Sequence, residues 1–265
     1  MSPQRAVAVM TFAAILAPAL AVAQVNFPKG GYYAGLGDSV AAGEGALPVT
    51  SGYVYDLYDR GVFGKKQEME FSNAAVRGAR SWELRSHQVS QVLCVKIAQR
   101  PTVVTITAGA GDIFAGDRDI ASVAWRVADS VNALLNNNRG FVASPVLDPE
   151  TQSPCPALDN VTILVSNYYS IPHPVPAVFA LLDTALQGFD QALRLGLQLV
   201  PVPPGSKVAV VDLYTPSLGR QGLVTIDRRL GFQGPFNFDV HPTNLGHAFI
   251  AKQFEDAWRR VSCQC

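Results

Sequence analysis

Apolar residues follow two patterns along this chain. Short continuous apolar runs rich in valine and isoleucine, such as TVVTIT and VTILVS, alternate with longer stretches in which apolar residues recur at helical spacing. Continuous runs of this kind are typical of strands buried on both faces, as in a parallel sheet covered by helices. The predicted strands are residues 32–36, 70–74, 102–107, 161–166 and 207–213.

The longer stretches predict helices between these strands. They cover residues 51–59, a segment from Ser81 as a cap toward Gln99, the stripe Val123, Val127, Val131 and Leu134, a segment from Pro176 toward Gln198, and a last helix behind Thr243 through Ile250, Phe254, Trp258 and Val261. Strand and helix in alternation predict a single α/β domain, a three-layer sandwich around a central parallel five-stranded sheet. The Pro/Gly-rich stretch 140–157 is interpreted as a long loop, either a surface connection or a lid.

Three loops rich in small residues follow the first three predicted strands. They read GDSVAAGEG, NAAVRGARS and AGAGDI. In a doubly wound sheet the ligand site lies outside the carboxyl ends of the strands, where small residues allow backbone amides to approach a substrate closely. No glycine pattern of a dinucleotide site or a P-loop occurs in these loops, which argues against nucleotide binding.

A serine and a histidine in this chain have the context of a nucleophile and its base. Ser39 follows the first strand, and a serine hydroxyl needs a base, commonly histidine, to become nucleophilic. His241 precedes the last helix, and Pro242 favours an extended backbone there, so Asp239 and His241 can share a face. We therefore expect a triad of Ser39, His241 and Asp239.

The other histidines have weaker claims to a role. His87 lies mid-helix among polar residues and is expected on the surface, whereas His247 lies inside the last helix and is expected to pack or cap. His173 follows the fourth strand, where it either lines a cleft or is incidental.

Four motifs, GLGDSVAAGEG, NAAVRGARS, TITAGAGDI and DVHPTNLGHAFIA, resemble in order and spacing those of the GDSL-type esterases and lipases, the SGNH hydrolases. The resemblance covers about residues 32–258 and implies a flavodoxin-like SGNH hydrolase fold. It implies that Ser39 is the nucleophile, that the backbone N–H groups of Ser39 and Gly78 hold the oxyanion, and that His241 is the general base. It also implies that no metal or organic cofactor is needed.

The chain departs from the family pattern at two positions. Gly111 stands where the family has an asparagine whose amide is the third oxyanion donor, so only a backbone N–H or a water is available there; Asn73 and Asn167 are possible substitutes. The family acid commonly lies three residues before the histidine, where this chain has Phe238. Asp239, two residues before the histidine, is the expected acid; the alternative is that a backbone carbonyl holds the imidazole. Asp38 and Asp112 are expected to brace their loops.

Residues 1–23 have the features of a secretory signal peptide. One cation, Arg5, precedes an apolar run that ends in Ala21-Val22-Ala23. Cleavage after Ala23 would leave residues 24–265 as the esterase domain, secreted or periplasmic and without stable membrane insertion; the alternative is a membrane anchor, although Pro18 interrupts the run. The chain carries 21 basic and 21 acidic side chains without a basic stripe, which argues against nucleic-acid partners.

Export would expose the four cysteines to oxidising conditions. Cys94, Cys155, Cys263 and Cys265 allow three pairings, of which we favour Cys94–Cys155 with Cys263–Cys265 over the crossed arrangements.

The sequence thus predicts a secreted serine esterase or lipase that cleaves small-molecule, glycan or lipid esters through an acyl-enzyme. Two alternatives remain: a secreted binding protein on the same fold, catalytically weakened by the loss of the asparagine, and an acyltransferase that uses the same triad. Tyr53, Tyr55, Tyr58 and Phe63 either line a cleft or, as is commoner at helical spacing, form core.

Overall fold

The computed structural model describes residues 31–94, 100–137, 144–171, 176–224 and 240–263. Its strands are β1 (Tyr32–Gly37), β2 (Glu70–Asn73), β3 (Val103–Thr107), β4 (Thr162–Ser166) and β5 (Lys207–Val211). All five strands expected from the apolar runs are confirmed, and every residue of β1 and β3 is buried.

These strands form one parallel sheet in the order β2-β1-β3-β4-β5. The chain leaves β1 toward β2 in one direction and later continues from β3 toward β5 in the other, so the order reverses between β1 and β3. This is the flavodoxin-type order, in which the crevice beside the reversal is the usual ligand position. Ser39 and Gly111 follow the two strands that border this crevice.

Helices cover both faces of the sheet, as predicted. They are α1 (Tyr53–Asp59), α2 (Ser81–Glu83, continued by a π-helical turn Leu84–Val89 and by Ser90–Leu93), α3 (Ala110–Phe114), α4 (Ile120–Asn136), α5 (Pro176–Gln198), α6 (Tyr214–Ser217) and α7 (Asn244–Ser262). Helix α1 packs against α7, and α4 packs against α2 and α5. Because crossovers between parallel strands are right-handed as a rule and the strand order reverses between β1 and β3, these two groups fall on opposite faces, which completes the three layers.

The aromatic residues of the segment after β1 belong mainly to the core. Tyr53 is fully buried and stacks on Phe254 with ring centroids 4.9 Å apart, which joins α1 to α7. Tyr58 stacks on Phe71 of β2 at 4.3 Å. The interpretation of these residues as core is therefore the better one.

Ser81 does not cap α2. The N-cap is Arg80, whose backbone N–H donates to Glu83, while the Ser81 side chain turns inward to Asp112. As a cap, the Ser81 oxygen would accept from a backbone N–H of the first turn; here its hydroxyl instead donates a charge-assisted hydrogen bond to a buried carboxylate, so the tertiary contact overrides the local preference. At the other end of the chain Thr243 caps α7 through Gly246 N, as predicted.

The stretch after α4 is an irregular loop over its described residues, 144–157, and two devices hold it to the domain. The Asn137 side chain exchanges hydrogen bonds with the backbone of Val146 and Cys155. A disulfide joins Cys94 to Cys155, which confirms this half of the favoured pairing. Cys263 is free and exposed, which does not support its predicted bond to Cys265; Cys265 itself lies outside the described residues.

Removal of this disulfide should destabilise the domain measurably. The bond closes a loop of 61 residues, so replacing Cys94 and Cys155 by alanine should lower the free energy of unfolding by about 4 kcal/mol through the larger entropy of the unfolded chain. Urea unfolding measures the difference, with Cys263→Ser as the control that leaves stability unchanged. A loss below about 1 kcal/mol would contradict the expectation.

Within the described ranges, no helix combines the length and the apolar character that crossing a bilayer requires.

Candidate active site

The loop that follows β1 and carries Ser39, called the serine loop below, begins at a turn whose backbone conformation favours glycine. Gly37 closes β1 with φ of +138°, and a Cβ there would overlap the carbonyl oxygen of Thr107. The buried Gln88 side chain holds this residue on both sides, accepting from Gly37 N at 2.7 Å and donating to Gly37 O at 2.8 Å. The turn therefore delivers Asp38 and Ser39 to the edge of the sheet in a defined orientation.

Asp38 is buried and braces the loop rather than facing a substrate. Its carboxylate accepts from Val40 N at 3.0 Å, from Ala110 N at 3.2 Å and from the Tyr168 hydroxyl. Burial raises the pKa of Asp38 to about 6, although these hydrogen bonds oppose the shift. Asp38 thus ties the loop after β1 to the loop after β3, consistent with the bracing expected of it.

Ser39 and His241 meet at the carboxyl edge of the sheet, although 202 positions separate them in the chain. Ser39 Oγ lies 2.8 Å from His241 Nε2. The serine is half-buried and the histidine side chain is 20% exposed, so both are accessible to a small molecule. A hydroxyl at this distance from an imidazole nitrogen can pass its proton to it and attack an electrophile.

Several contacts hold His241 in place. The Tyr169 hydroxyl donates to the carbonyl of Val240 at 2.9 Å. Gly45, in the serine loop, has a φ of +90°, and a Cβ on it would lie 2.9 Å from the His241 Cβ, so the loop packs directly against the histidine. The predicted acid, Asp239, and the fourth histidine, His173, lie outside the described residues.

Gly78 and Gly111 lie in two further loops, which contact each other and the residues that precede Ser39. Gly78 is exposed with φ of +73°, and among the described residues its backbone N–H, like that of Ser39, donates to no protein acceptor. A Cβ on Gly111 would overlap the carbonyl oxygen of Ala79 and lie 3.3 Å from that of Gly78. Gly111 therefore allows two loop backbones to meet, and an asparagine would not fit in this arrangement.

The two asparagines considered as substitute donors are committed elsewhere. Asn167 is buried, and its amide donates to Asp190 at 2.9 Å and to Asp212 at 3.0 Å. The Asn73 amide donates to the carbonyl of Ala41 at 2.9 Å. Each of them holds neighbouring loops together.

Asp112, next to Gly111, fixes the third loop from inside the protein. It accepts from Ser81 N at 2.6 Å and from Ser81 Oγ at 3.0 Å, and Arg126 lies 3.3 Å away. These contacts match the bracing role expected from the sequence and connect α3, α2 and α4.

A carboxylate beside the histidine was not among the predicted site residues. Glu44 Oε2 lies 3.8 Å from His241 Nε2, and Glu44 Oε1 lies 2.6 Å from Arg77 Nη2. Both residues stand inside motifs already identified, next to Gly45 and Gly78. The contact between Glu44 and Arg77 could not be predicted from the sequence, because it joins two loops whose distance from each other depends on the fold.

His247 is fully buried beneath the site, whereas His87 is exposed on α2, as expected of each. The His247 ring accepts from Tyr53 N at Nδ1 (3.3 Å) and donates from Nε2 to the carbonyl of Glu44 at 2.9 Å. Burial lowers the pKa of His247 to about 4. This neutral histidine supports the serine loop from below.

The buried His247 should make the protein less stable in acid. Because its pKa falls from 6.5 when unfolded to about 4 when folded, its contribution is full above 6.5 and is lost as the pH falls toward 4. The loss is about 3 kcal/mol and should be absent in His247→Gln. Urea unfolding at several pH values in this range gives the slope of the free energy of unfolding against pH for the wild type and for His247→Gln. Burial of Asp38 changes this free energy in the opposite direction, but Asp38 is present in both proteins. Equal slopes would contradict the expectation.

Comparison with known proteins gives a family and a fold. The family model GDSL-like Lipase/Acylhydrolase matches residues 33–254. A search of curated protein sequences finds no match. A member of the lipolytic protein G-D-S-L family from Veillonella parvula DSM 2008 is similar in structure, with a TM-score of 0.54 and 16% identity over 86% of this chain and 98% of that one.

Other solved structures give similar values. An extracellular lipase from Streptomyces rimosus has a TM-score of 0.52 and 17% identity, over 86% of this chain and 99% of that one. The lipase Lip_vut3 from a goat rumen metagenome has a TM-score of 0.51 and 20% identity, over 86% of this chain and 97% of that one. At these identities the structural likeness establishes the α/β fold of the SGNH hydrolases. Because the family model spans most of the chain, from β1 to α7, this protein belongs to the GDSL-like lipase/acylhydrolase family of esterase- and lipase-type hydrolases.

Proposed function

We propose that this protein is an exported serine esterase that hydrolyses carboxylic esters through an acyl-enzyme. The observation that carries the proposal is the 2.8 Å contact between Ser39 Oγ and His241 Nε2 at the ligand edge of the sheet. Ser39 Oγ attacks the ester carbonyl while His241 Nε2 takes its proton. The tetrahedral intermediate collapses, and His241 returns the proton to the leaving alcohol. Water activated by His241 then releases the acid and regenerates Ser39.

Backbone amides would stabilise the oxyanion in this mechanism. The N–H groups of Ser39 and Gly78 are the proposed donors, and both are without a protein acceptor in the described part of the chain. Gly111 takes the third position with a backbone N–H only. Asp239 is proposed to orient His241, since an imidazole in a triad needs a partner on its other nitrogen.

The proposed location is outside the cytoplasm, with residues 1–23 as a cleaved signal peptide. The Cys94–Cys155 disulfide supports it, because such bonds persist in oxidising compartments. N-terminal sequencing of protein recovered from the medium or periplasm tests it: a mature chain beginning at Gln24 is expected, and an intact Met1 would contradict it.

Ester turnover tests the proposed activity. The protein should release p-nitrophenol from a series of p-nitrophenyl esters from acetate to palmitate, with one range of chain lengths preferred. An added alcohol that diverts acyl groups in preference to water would indicate an acyltransferase instead. Absence of turnover on every chain length, with binding of a glycan or lipid retained, would favour a binding protein.

A further inference from the structure

The Glu44 carboxylate faces the nitrogen of His241 that exchanges protons with Ser39. Oε2 lies 3.8 Å from Nε2, and the Glu44 side chain is only 11% exposed. A triad acid contacts the other imidazole nitrogen, so Glu44 cannot take the place proposed for Asp239. Its other oxygen, Oε1, lies 2.6 Å from Nη2 of Arg77, whose side chain is 70% exposed.

The backbone of Glu44 holds this carboxylate at the site. Glu44 N donates to the carbonyl of Ser39 at 2.9 Å, and its own carbonyl accepts from the ring of His247 at 2.9 Å. The next residue, Gly45, packs against His241. The position of the negative charge is therefore set by the same loop that positions the nucleophile.

We propose that Glu44 is a positioning residue that stabilises protonated His241 during acylation, and that Arg77 limits this stabilisation. A carboxylate within about 4–6 Å of an imidazole favours its charged form. That charge develops when Nε2 takes the Ser39 proton, so the interaction is stronger in the transition state than in the resting enzyme. Arg77 forms an ion pair with the same carboxylate, and its positive charge opposes the effect of that carboxylate on His241. The effect on turnover rests on the proposed esterase function.

Other groups also act on His241, and they remain constant in the variants used below. On the loop after β1 they are Ser39 and Asp38, from α7 His247, and from the end of β4 Tyr168, bonded to Asp38, and Tyr169, bonded to Val240 O. Asp239 lies outside the described residues. Among the described groups named here, Glu44 and Arg77 carry opposite charges and are paired with each other beside Nε2, so pKa shifts of opposite sign in their variants identify this pair.

A pH profile of ester hydrolysis tests the proposal through two variants with opposite expected signs. Glu44→Gln keeps the shape but removes the negative charge, so kcat should fall about tenfold with KM unchanged. The acid limb of the kcat/KM profile should move to lower pH. Arg77→Gln should move that limb higher, by a smaller amount because Arg77 is exposed. Glu44→Asp should restore part of the wild-type rate.

An NMR titration separates this proposal from the proposed activity. In Ser39→Ala, whose turnover should be negligible, the His241 ring proton signals report its pKa, and His241→Gln assigns them. Adding Glu44→Gln should lower that pKa and adding Arg77→Gln should raise it. Shifts in the same direction, or none in folded proteins, would overturn the proposal even if the esterase is active. Opposite shifts would support it even if no ester is hydrolysed.

Discussion

Ser39→Ala should lower kcat for ester hydrolysis by about 10⁵- to 10⁶-fold while leaving the fold intact. The structure gives the reason: Ser39 Oγ is the group in contact with His241 Nε2 at the crevice between β1 and β3. His241→Gln should cause a loss of similar size, because the hydroxyl without its base is a weak nucleophile. Steady-state kinetics with a p-nitrophenyl ester measure both losses.

The double variant makes this prediction sharper. When two residues act as one unit, removing either of them removes the whole contribution of the pair to kcat. Ser39→Ala/His241→Gln should therefore be about as slow as either single variant. Ser86→Ala, an exposed serine on α2, is the control and should retain wild-type turnover. Losses that multiply in the double variant would indicate that the two side chains act independently, contrary to the proposed mechanism.

Gly111→Asn should lower activity rather than restore a missing donor. Any Cβ at this position overlaps the Ala79 carbonyl and crowds that of Gly78, so the loop that carries the proposed second oxyanion donor must move. Displacing one donor typically costs about 10²–10³ in kcat. The overlap should also lower the free energy of unfolding by about 1–3 kcal/mol, as overpacking does in well-packed sites.

Gly111→Ala separates the steric cause from the asparagine amide. It should reproduce most of both losses, because the Cβ alone makes the overlap. Gly188→Ala in α5, where a Cβ has open space, is the control and should leave kcat unchanged while stabilising the helix by about 0.5–1 kcal/mol. A kcat that rises in Gly111→Asn would mean that the missing amide limits the wild-type enzyme.

The centre of the sheet was predictable from sequence because β1 and β3 are buried along their whole length and β4 is buried over most of it. Runs such as TVVTIT are rich in β-branched residues and contain no charged position that a helix surface would require, and the predicted ends of the strands matched closely. The meeting of Ser39 and His241 followed from motif order and from the rule that parallel strands present their carboxyl ends at one edge. Pro176 begins α5 and the Thr243 side chain caps α7, as the local preferences of these residues predict.

The parts that were not predictable depend on contacts between loops. The resemblance to the family marks Gly111 as the position of a missing donor, but only the structure shows that the Gly78–Ala79 backbone passes too close for a side chain there. Ser81 was expected to cap a helix but is bonded to a buried Asp112. Glu44 was overlooked because its partners, Arg77 and His241, lie on two other segments. None of these contacts between loops produces a periodic pattern in the amino-acid sequence.

Covalent labelling of the nucleophile tests the central claim most directly. The folded protein should react with a fluorophosphonate probe at one site, and mass spectrometry of its peptides should place the adduct on Ser39. Labelling should be lost in Ser39→Ala and should slow by several orders of magnitude in His241→Gln, since the base activates the hydroxyl. A folded wild-type protein that takes no label, or takes it on a residue other than Ser39, would contradict the assignment of this chain as a serine esterase.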